Sequence, residues 1–346
     1  MIVVLFMAAF LWGSGMVMGA PKRARWIMIA VLLACVTVAQ FVLPEGHVVR
    51  EATGGDPRLW PFLMALGAIA YGYRIVLRKV KQRAMTPEEP AAQAGTFSEA
   101  ELNRYARHVM LREIGGAGQK KLKSAKVLVI GAGGLGAPAL QYLAAAGVGT
   151  IGVIDDDVVE NANLQRQVIH TDAQIGAPKV MSAADAMTAQ NPHITVRPYN
   201  RRLTAQIAAD LVADYDLVLD GTDNFDTRYL VNATCAALGK PLIAGALTQW
   251  EGQASLYDPA SGAPCFACVF PDAPDPALVP SCAEAGVVGP LPGVIGSIMA
   301  LEAIKEITGA GDGLRGKLMI FDGLYGQSRV ISTKARADCK VCAGLP

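Results

Sequence analysis

The stretch from Lys126 to Leu140 places the strongest constraint on what this chain of 346 residues can fold into. Val127 to Ile130 are aliphatic without alternation, as expected of a parallel strand covered on both faces. The glycines that follow have the spacing G-x-G-x-x-G, which permits a tight turn, close approach of the backbone to a phosphate, and close packing of the next helix. That helix, predicted from Leu135 to Ala146, would direct its free amide groups at an anion. The stretch therefore predicts a nucleotide-phosphate site that includes Gly131, Gly133 and Gly136.

An acidic residue follows at the position where a ribose would need it. Asp155 ends a second apolar strand, Thr150 to Ile154, and is placed to accept a hydrogen bond from a ribose hydroxyl. A glycine-rich turn without a ligand is the alternative. Strand, helix and acid together favour nucleotide binding without saying which nucleotide.

Three apolar runs precede this motif, at residues 1–20, 26–43 and 59–77. Each is about as long as a helix must be to cross a bilayer. We predict a membrane region over residues 1–83 with three transmembrane helices, a flexible linker over 84–96, and a folded domain over 97–346. Buried helices of a soluble domain are the alternative, but soluble helices of this length usually keep a polar stripe.

Basic residues set the expected orientation of these helices. Lys22, Arg23 and Arg25 lie between the first two runs, and four more basic residues follow the third run, between residues 78 and 83. By the positive-inside rule the N-terminus is outside. The sequence thus predicts a multi-pass protein of the cell inner membrane, with the lipid bilayer as a partner and the catalytic domain in the cytoplasm.

From residue 97 onward, strand and helix patterns alternate, which predicts an α/β fold with a doubly wound, Rossmann-like, mostly parallel sheet. Parallel strands are expected at 127–130, 151–155, 194–199, 217–220 and 242–246, and antiparallel edge strands at 253–257, 317–321 and 328–332. The expected helices include 98–111, 179–189, 225–238 and 294–307.

Polar side chains gather where these strands end, which is where open α/β sheets bind ligands. Two cations, Arg166 and Lys179, and one carboxylate, Asp223, suit a triphosphate with magnesium better than a dinucleotide. The cations would neutralise phosphate charge and the carboxylate would hold the metal. The alternatives are surface charges for the two cations, and a helix cap for Asp223 with Asn224.

Seven cysteines include two Cys-x-x-Cys pairs, Cys265 with Cys268 and Cys339 with Cys342. Two such pairs predict a four-thiolate zinc site with a structural role. A redox pair is the alternative, but no thioredoxin pattern accompanies it. Cys282, in a proline-rich loop, has no second cysteine nearby and is excluded from the predicted metal site.

Several further motifs, taken in order, make a family resemblance visible. They are Arg104–His108, Gly131–Gly136, Ala145–Gly149, Asn163–Gln167, Gly176–Lys179, Asn191–Pro192, Asp223–Asn224, Glu251–Gln253 and Gly293–Gly296. The chain from residue 97 to 346 resembles the MoeB/ThiF/HesA family of sulfur-carrier adenylyltransferases, which is related to ubiquitin-activating enzymes.

The resemblance implies that the domain binds Mg-ATP and adenylates the C-terminal Gly-Gly carboxylate of a small ubiquitin-fold sulfur carrier protein. Arg107 would reach the phosphates of the neighbouring subunit of a homodimer, and Cys282 would be either a nucleophile in sulfur transfer or a loop cysteine. The ATP site would be lined by Gly134, Asp155, Asn163, Arg166, Lys179, Asp223 and Asn224. A separate sulfur donor is implied, since no rhodanese-like sequence is present after the matching motifs. The product, whether molybdopterin, thiamine or another thio-compound, stays open.

Other functions fit the sequence less well. A net charge of +1 gives no footprint for nucleic acid, so none is expected as a partner. An adenylating relative that acts on another substrate, a membrane scaffold without turnover, and an NAD-dependent oxidoreductase are the remaining alternatives. The scaffold is disfavoured because Arg107, Arg166, Lys179 and Asp223 are all present. The oxidoreductase is disfavoured because no acid for hydride transfer stands out.

Overall fold

The structure, a computed structural model, describes residues 2–54, 97–273 and 285–345, together with short stretches between residues 56 and 76. The chain divides into two compact units, residues 1–91 and 92–346. The division falls inside the segment that the sequence predicts as a linker.

The N-terminal unit is helical, with helices Ile2–Val17, Lys22–Val42 and Val48–Thr53. Among the described residues, one helix, Lys22–Val42, is long and apolar enough to cross a membrane, and 11% of its apolar stretch is buried. The helix Ile2–Val17 has 16 residues and is shorter than a bilayer requires. Of the third predicted run, 59–77, the structure describes only short stretches. The structure therefore supports one candidate span where the sequence predicted three.

The second unit contains one sheet of eight strands in the order β3-β2-β1-β4-β5-β6-β7-β8. The strands are β1 Lys126–Ile130, β2 Thr150–Asp155, β3 Thr195–Asn200, β4 Leu217–Asp220, β5 Leu242–Leu247, β6 Glu251–Tyr257, β7 Lys317–Asp322 and β8 Gln327–Ser332. Strands β1 to β5 are parallel and β6 to β8 are antiparallel. The predicted mixed sheet with antiparallel strands at one edge is confirmed.

Among the described residues, the α-helices of this unit include Glu99–Val109, Gly115–Ser124, Gly136–Ala146, Lys179–Gln190, Ala205–Ala213, Phe225–Leu238, Phe266–Val269 and Pro290–Thr308. The first begins with a capping box, in which Ser98 and Glu101 each bond the backbone of the other. The helices Gly115–Ser124 and Ala205–Ala213 were not among those predicted.

Both faces of the sheet are covered, as the aliphatic strand β1 predicts. Val127 and Val129 lie in one buried cluster with side chains of the helices Gly136–Ala146 and Pro290–Thr308. Leu128 belongs to a second cluster on the opposite face. Because neighbouring parallel strands end at the same edge, the loops after β1, β2 and β4 meet there.

Candidate nucleotide site and cysteine cluster

The glycine loop, residues 131–136, follows β1 at this edge. Ile130, the last residue of β1, is in register with Ile154 of β2 and with Asp220 of β4. The loop therefore lies between the segments that follow those two strands. A Cβ atom placed on Gly221 would lie 3.1 Å from the Gly136 nitrogen, so the loop after β4 contacts the glycine loop directly.

The glycines of the loop serve two different needs. Gly131 has a φ of +91°, and a Cβ on Gly136 would lie 1.9 Å from the Gly131 carbonyl oxygen, so both positions require glycine for the turn itself. A Cβ on Gly133 would meet nothing closer than the Gln167 Nε2 atom at 3.6 Å, and one on Gly134 would lie 3.1 Å from Pro292. At Gly133 the fold leaves room, which suits a position that a ligand approaches.

Asp155 braces the glycine loop from the end of β2. Its Oδ2 atom accepts from the Ala132 backbone N–H at 2.7 Å, and its Oδ1 atom accepts from the Asp157 N–H at 2.8 Å. Each oxygen keeps a second lone pair. The predicted contact of Asp155 with a ribose stays a prediction, beside a bracing role that the sequence did not predict.

Lys179 begins the helix Lys179–Gln190, and its Nζ atom lies 2.7 Å from Asp157 Oδ2. The lysine side chain is 5% exposed, so the alternative of a surface charge is wrong at this position. The ion pair with Asp157 offsets part of the cost of burying the lysine side chain. Two of its three N–H donors make no hydrogen bond to a described residue.

Arg166 lies beside the glycine loop. Its guanidinium donates to Asn163 Oδ1 at 3.2 Å and to the Ala162 carbonyl at 3.3 Å. Its Cδ atom lies 3.8 Å from the position of a Cβ on Gly134. The structure thus brings the predicted residues Asn163 and Arg166 together beside the loop.

The loop after β4 is also braced by side chains. Buried Asp220 accepts from the N–H and the hydroxyl of Thr222, at 2.9 and 2.6 Å, while Arg228 donates to the Thr222 carbonyl. Asn224 Oδ1 caps the helix Phe225–Leu238 by accepting from Thr227 N–H at 2.9 Å. The alternative of a helix cap is therefore correct for Asn224. The Asp223 carboxylate is exposed and has no hydrogen bond or ion pair to any residue that the structure describes.

His170 is a residue of this region that the sequence analysis did not predict. It is 6% exposed, and its ring nitrogens lie 3.0 Å from the Ala132 carbonyl oxygen and 2.8 Å from Ser182 Oγ. Burial, and next the charge of Lys179, lower its pKa, against the hydrogen bond to Ala132 and the charge of Asp155. The available signal was a histidine that directly follows the apolar pair Val168-Ile169 inside a polar loop.

Two other predicted residues are not placed at the loop. Arg107 is exposed on the helix Glu99–Val109 and makes no hydrogen bond or ion pair to the described residues of the chain. Its predicted reach into a neighbouring subunit stays a prediction. Cys282 lies in 274–284, outside the described residues.

The four cysteines of the two pairs form one buried cluster, as predicted. The sulfur atoms are 3.8 Å apart for Cys265 and Cys268, 3.6 Å for Cys265 and Cys339, and 3.3 Å for Cys268 and Cys342. Four thiolates about 2.3 Å from one tetrahedral zinc ion would be about 3.8 Å apart. The cluster therefore fits zinc after a small adjustment of the shortest pair.

The surroundings of the cluster provide weak donors to sulfur. Asn232 Nδ2 lies 3.7 Å from Cys265 Sγ, and the Arg336 backbone N–H lies 3.4 Å from Cys268 Sγ. Burial raises the pKa of Cys265 to about 11. Burial also opposes ionisation of Cys339, but N–H groups of Cys342 and Val341 outweigh it and lower the pKa to about 7. Four thiolates in this space require a cation.

Comparison with known proteins gives a single consistent result. The ThiF family profile matches residues 105–341. The chain is 46% identical over 254 residues to a sulfur carrier protein adenylyltransferase of Thermus thermophilus, covering 72% of this chain and 94% of that protein. It is 47% identical over 242 residues to the SAMP-activating enzyme E1 of Haloferax volcanii, covering 70% and 89%. It is 46% identical over 261 residues to the mouse adenylyltransferase and sulfurtransferase MOCS3, of which it spans 56%.

Solved structures show the same fold at lower identity. The crystal structure of E. coli MccB with ATP matches with a TM-score of 0.61 and 21% identity, covering 91% of this chain and 90% of that one. MccB with AMPCPP and MccA matches with a TM-score of 0.63 and 23% identity, covering 72% and 76%.

Proposed function

The chain belongs to the ThiF family, and we propose that its domain, residues 97–346, adenylates the C-terminal Gly-Gly carboxylate of a small ubiquitin-fold sulfur carrier protein. The enzyme is then a sulfur carrier protein adenylyltransferase that prepares the carrier for sulfur incorporation. The family assignment and the relatives' activities support this function, and the chemistry of the glycine loop fits it.

The observation that carries the proposal is the set of groups around the open part of the loop. The backbone N–H groups of Gly133 and Gly134 make no hydrogen bond to a described residue, and Arg166 lies beside the loop. Lys179 is a buried cation in the segment after β2, and Asp223 is a carboxylate without a partner in the described part of the chain. Backbone amides and two cations suit a polyphosphate, and a free carboxylate beside phosphates suits magnesium.

The proposed reaction needs positioning more than covalent help. A carboxylate oxygen of the carrier attacks the α-phosphorus of ATP, the new O–P bond forms, the bond to the β-phosphate breaks, and pyrophosphate leaves. Lys179 and Arg166 would neutralise the charge that grows on the leaving group, while Asn163 orients the arginine. Asp155 would contact the ribose. Asp223 would hold magnesium, whose chemistry is to offset phosphate charge.

The proposal includes partners beyond the chain. Arg107 would complete the phosphate site of a second copy in a homodimer. A separate sulfurtransferase or cysteine desulfurase would supply sulfur, for molybdopterin, thiamine or a related product, and Cys282 would be the transfer nucleophile if the chain takes part in that step.

We propose that the cysteine cluster of Cys265, Cys268, Cys339 and Cys342 holds one zinc ion for stability. The sulfur spacing fits, and all four positions are occupied by protein ligands, as in structural rather than catalytic sites. Zinc would join the segment after β6 to the C-terminal tail.

We propose that the N-terminal unit attaches the domain to the cell inner membrane. The helix Lys22–Val42 spans about 31 Å at 1.5 Å per residue, close to the hydrocarbon thickness of a bilayer. The proposed orientation has the N-terminus outside and the domain in the cytoplasm. Protease added to intact cells should leave the domain after residue 97 intact, and cleavage there would overturn the topology.

The adenylation itself is tested by incubating the purified protein with ATP, magnesium and a carrier that ends in Gly-Gly. Mass spectrometry should find the carrier heavier by one adenylyl group. A carrier that lacks its last glycine should stay unmodified. An unmodified Gly-Gly carrier, with every such carrier of the cell tried, would overturn the proposed activity.

A further inference from the structure

We infer that His170 is a positioning residue for the nucleotide: it holds the peptide between Ala132 and Gly133 so that the Gly133 N–H faces the phosphate. The inference rests on the proposed function of the glycine loop. It concerns a residue that neither the motif nor the spacing of the glycines points to.

His170 contacts the peptide between Ala132 and Gly133. His170 Nε2 lies 3.0 Å from the Ala132 carbonyl oxygen, and both residues are buried. In a trans peptide the carbonyl and the N–H of the next residue point in opposite directions. Since the Ala132 carbonyl points at a buried side chain, the Gly133 N–H points away from the interior. Gly133 is partly exposed, and its N–H makes no hydrogen bond to a residue that the structure describes.

Asp155 fixes the preceding peptide of the loop in the same manner. It accepts from the Ala132 N–H at 2.7 Å, so the Gly131 carbonyl points the other way, toward Gly136. Two successive peptides of the loop are thus oriented by side chains, one from the end of β2 and one from the segment before the helix Lys179–Gln190. The loop presents its amides because His170 and Asp155 hold its opposite side.

The proton on His170 must be on Nε2, because the Ala132 carbonyl oxygen only accepts hydrogen bonds. Burial and the nearby Lys179 charge favour the neutral ring, whereas Asp155 favours the charged one. Nδ1 lies 2.8 Å from Ser182 Oγ, whose single hydroxyl hydrogen serves either Nδ1 or Gln174 Oε1. Ser182 Oγ lies 2.7 Å from Gln174 Oε1. If His170 had only a structural role, that role would act through its contact with Ser182 and, beyond it, Gln174.

Three variants separate the two roles. In His170→Gln the carboxamide nitrogen takes the place of Nε2 and keeps the hydrogen bond to the Ala132 carbonyl. In His170→Asn it takes the place of Nδ1 and keeps only the contact with Ser182. His170→Leu keeps neither contact. Ser182→Ala removes the second contact without touching the loop and is the matched control. Circular dichroism and thermal unfolding establish that each full-length variant is folded.

The measurement is the affinity for ATP and for adenosine by isothermal titration calorimetry with magnesium present. We expect His170→Gln and Ser182→Ala to bind ATP within about threefold of the wild type, and His170→Asn and His170→Leu to bind it about tenfold more weakly or worse, the factor that one hydrogen bond to a charged group accounts for. Adenosine, which has no phosphate, should bind all folded proteins alike.

Each other outcome has a definite meaning. If His170→Asn binds ATP as well as His170→Gln, or if both weaken equally, the histidine does not act through Nε2 and the inference is overturned while the proposed function stands. If adenosine binding falls as much as ATP binding, the effect is not on the phosphate and the inference is again overturned. A folded wild-type protein that binds no ATP overturns both.

Discussion

The glycine loop and the cysteine cluster are built in opposite ways. The loop comes from one continuous stretch of the chain. Gly133 in the loop has room for a ligand beside it, and the Asp223 carboxylate in the loop after β4 is exposed. The cluster joins two pairs that are 74 residues apart in the chain and closes all four positions with buried or half-buried thiols. An open site fits a ligand that enters and leaves, whereas a closed site fits one that stays. The comparison predicts that the two sites can be damaged separately.

The largest expected effect is a loss of adenylation without a loss of folding stability. Asp223→Ala should lower the rate of adenylation by at least about a hundredfold, because the proposed magnesium ligand is lost. Zinc content and thermal stability should be unchanged, since Asp223 is exposed and its carboxylate makes no hydrogen bond or ion pair to the described residues. Asp226→Ala, an exposed acid in the first turn of the next helix, is the control and should stay active. An active Asp223→Ala protein would remove Asp223 from the site.

The reverse result is expected at the cluster. Cys339→Ser should lower zinc content and the free energy of unfolding together, by roughly 3 kcal/mol or more, because thiolate coordination forms on folding. Cys282→Ser should leave both unchanged. Full zinc in Cys339→Ser, or zinc lost in Cys282→Ser, would contradict the assignment. If Cys282→Ser adenylates the carrier but sulfur delivery fails, Cys282 is a transfer nucleophile.

Alanine substitutions at two glycines of the loop should have different effects on stability and on ATP binding. Gly136→Ala should cost about 3 kcal/mol of folding free energy, because its Cβ would overlap the Gly131 carbonyl oxygen at 1.9 Å. In Gly133→Ala the Cβ would make only an ordinary van der Waals contact with Gln167, so this change should alter stability by no more than about 0.5 kcal/mol while weakening ATP binding. Chemical denaturation and calorimetry measure the two quantities. Equal stability of both variants would contradict the distinction.

The smallest expected effect concerns pH. The folded-state pKa of His170 is below its usual value of 6.5, so between these values the unfolded chain binds more protons. This part of the stability is present above pH 6.5 and is lost as pH falls through the folded-state pKa, by at most about 1.4 kcal/mol for each unit of lowering. The loss of stability between pH 7.5 and 5.5 should be smaller in His170→Gln than in the wild type. An equal loss would show that His170 does not contribute.

The sequence predicted the domain's regular elements well because their signals are local. Strand β4, residues Leu217–Asp220, and the helix Phe225–Leu238 have the predicted bounds, and the other predicted strands differ from the structure by one or two residues at their ends. The helix Gly115–Ser124 was missed because glycines fill its first turn and no side chain caps it. Its burial of Leu122 and Gln119 comes from tertiary packing, which local propensity does not contain.

The sequence predicted the charged residues of the candidate site but not the side chains that hold its loops in place. Arg166, Lys179 and Asp223 follow strand ends, where a general rule places ligand groups. His170 contacts the Ala132 carbonyl 38 residues earlier in the chain, and no spacing in the sequence reveals such a contact. Asp220 and Arg228 hold the backbone of Thr222 close by in the sequence, but only the structure shows these bonds. The three membrane spans were predicted from hydropathy, which does not measure helix length. The first predicted run extends to residue 20, whereas the first helix ends at Val17.

Exchange of labelled pyrophosphate into ATP tests the central claim most directly, because it reports reversible formation of the adenylate at the open site. With magnesium and a carrier that ends in Gly-Gly, the wild-type protein and Cys282→Ser should exchange label, while Asp223→Ala, and a carrier without its last glycine, should not. Absence of exchange by folded, zinc-loaded wild-type protein with every Gly-Gly carrier of the cell would contradict the account.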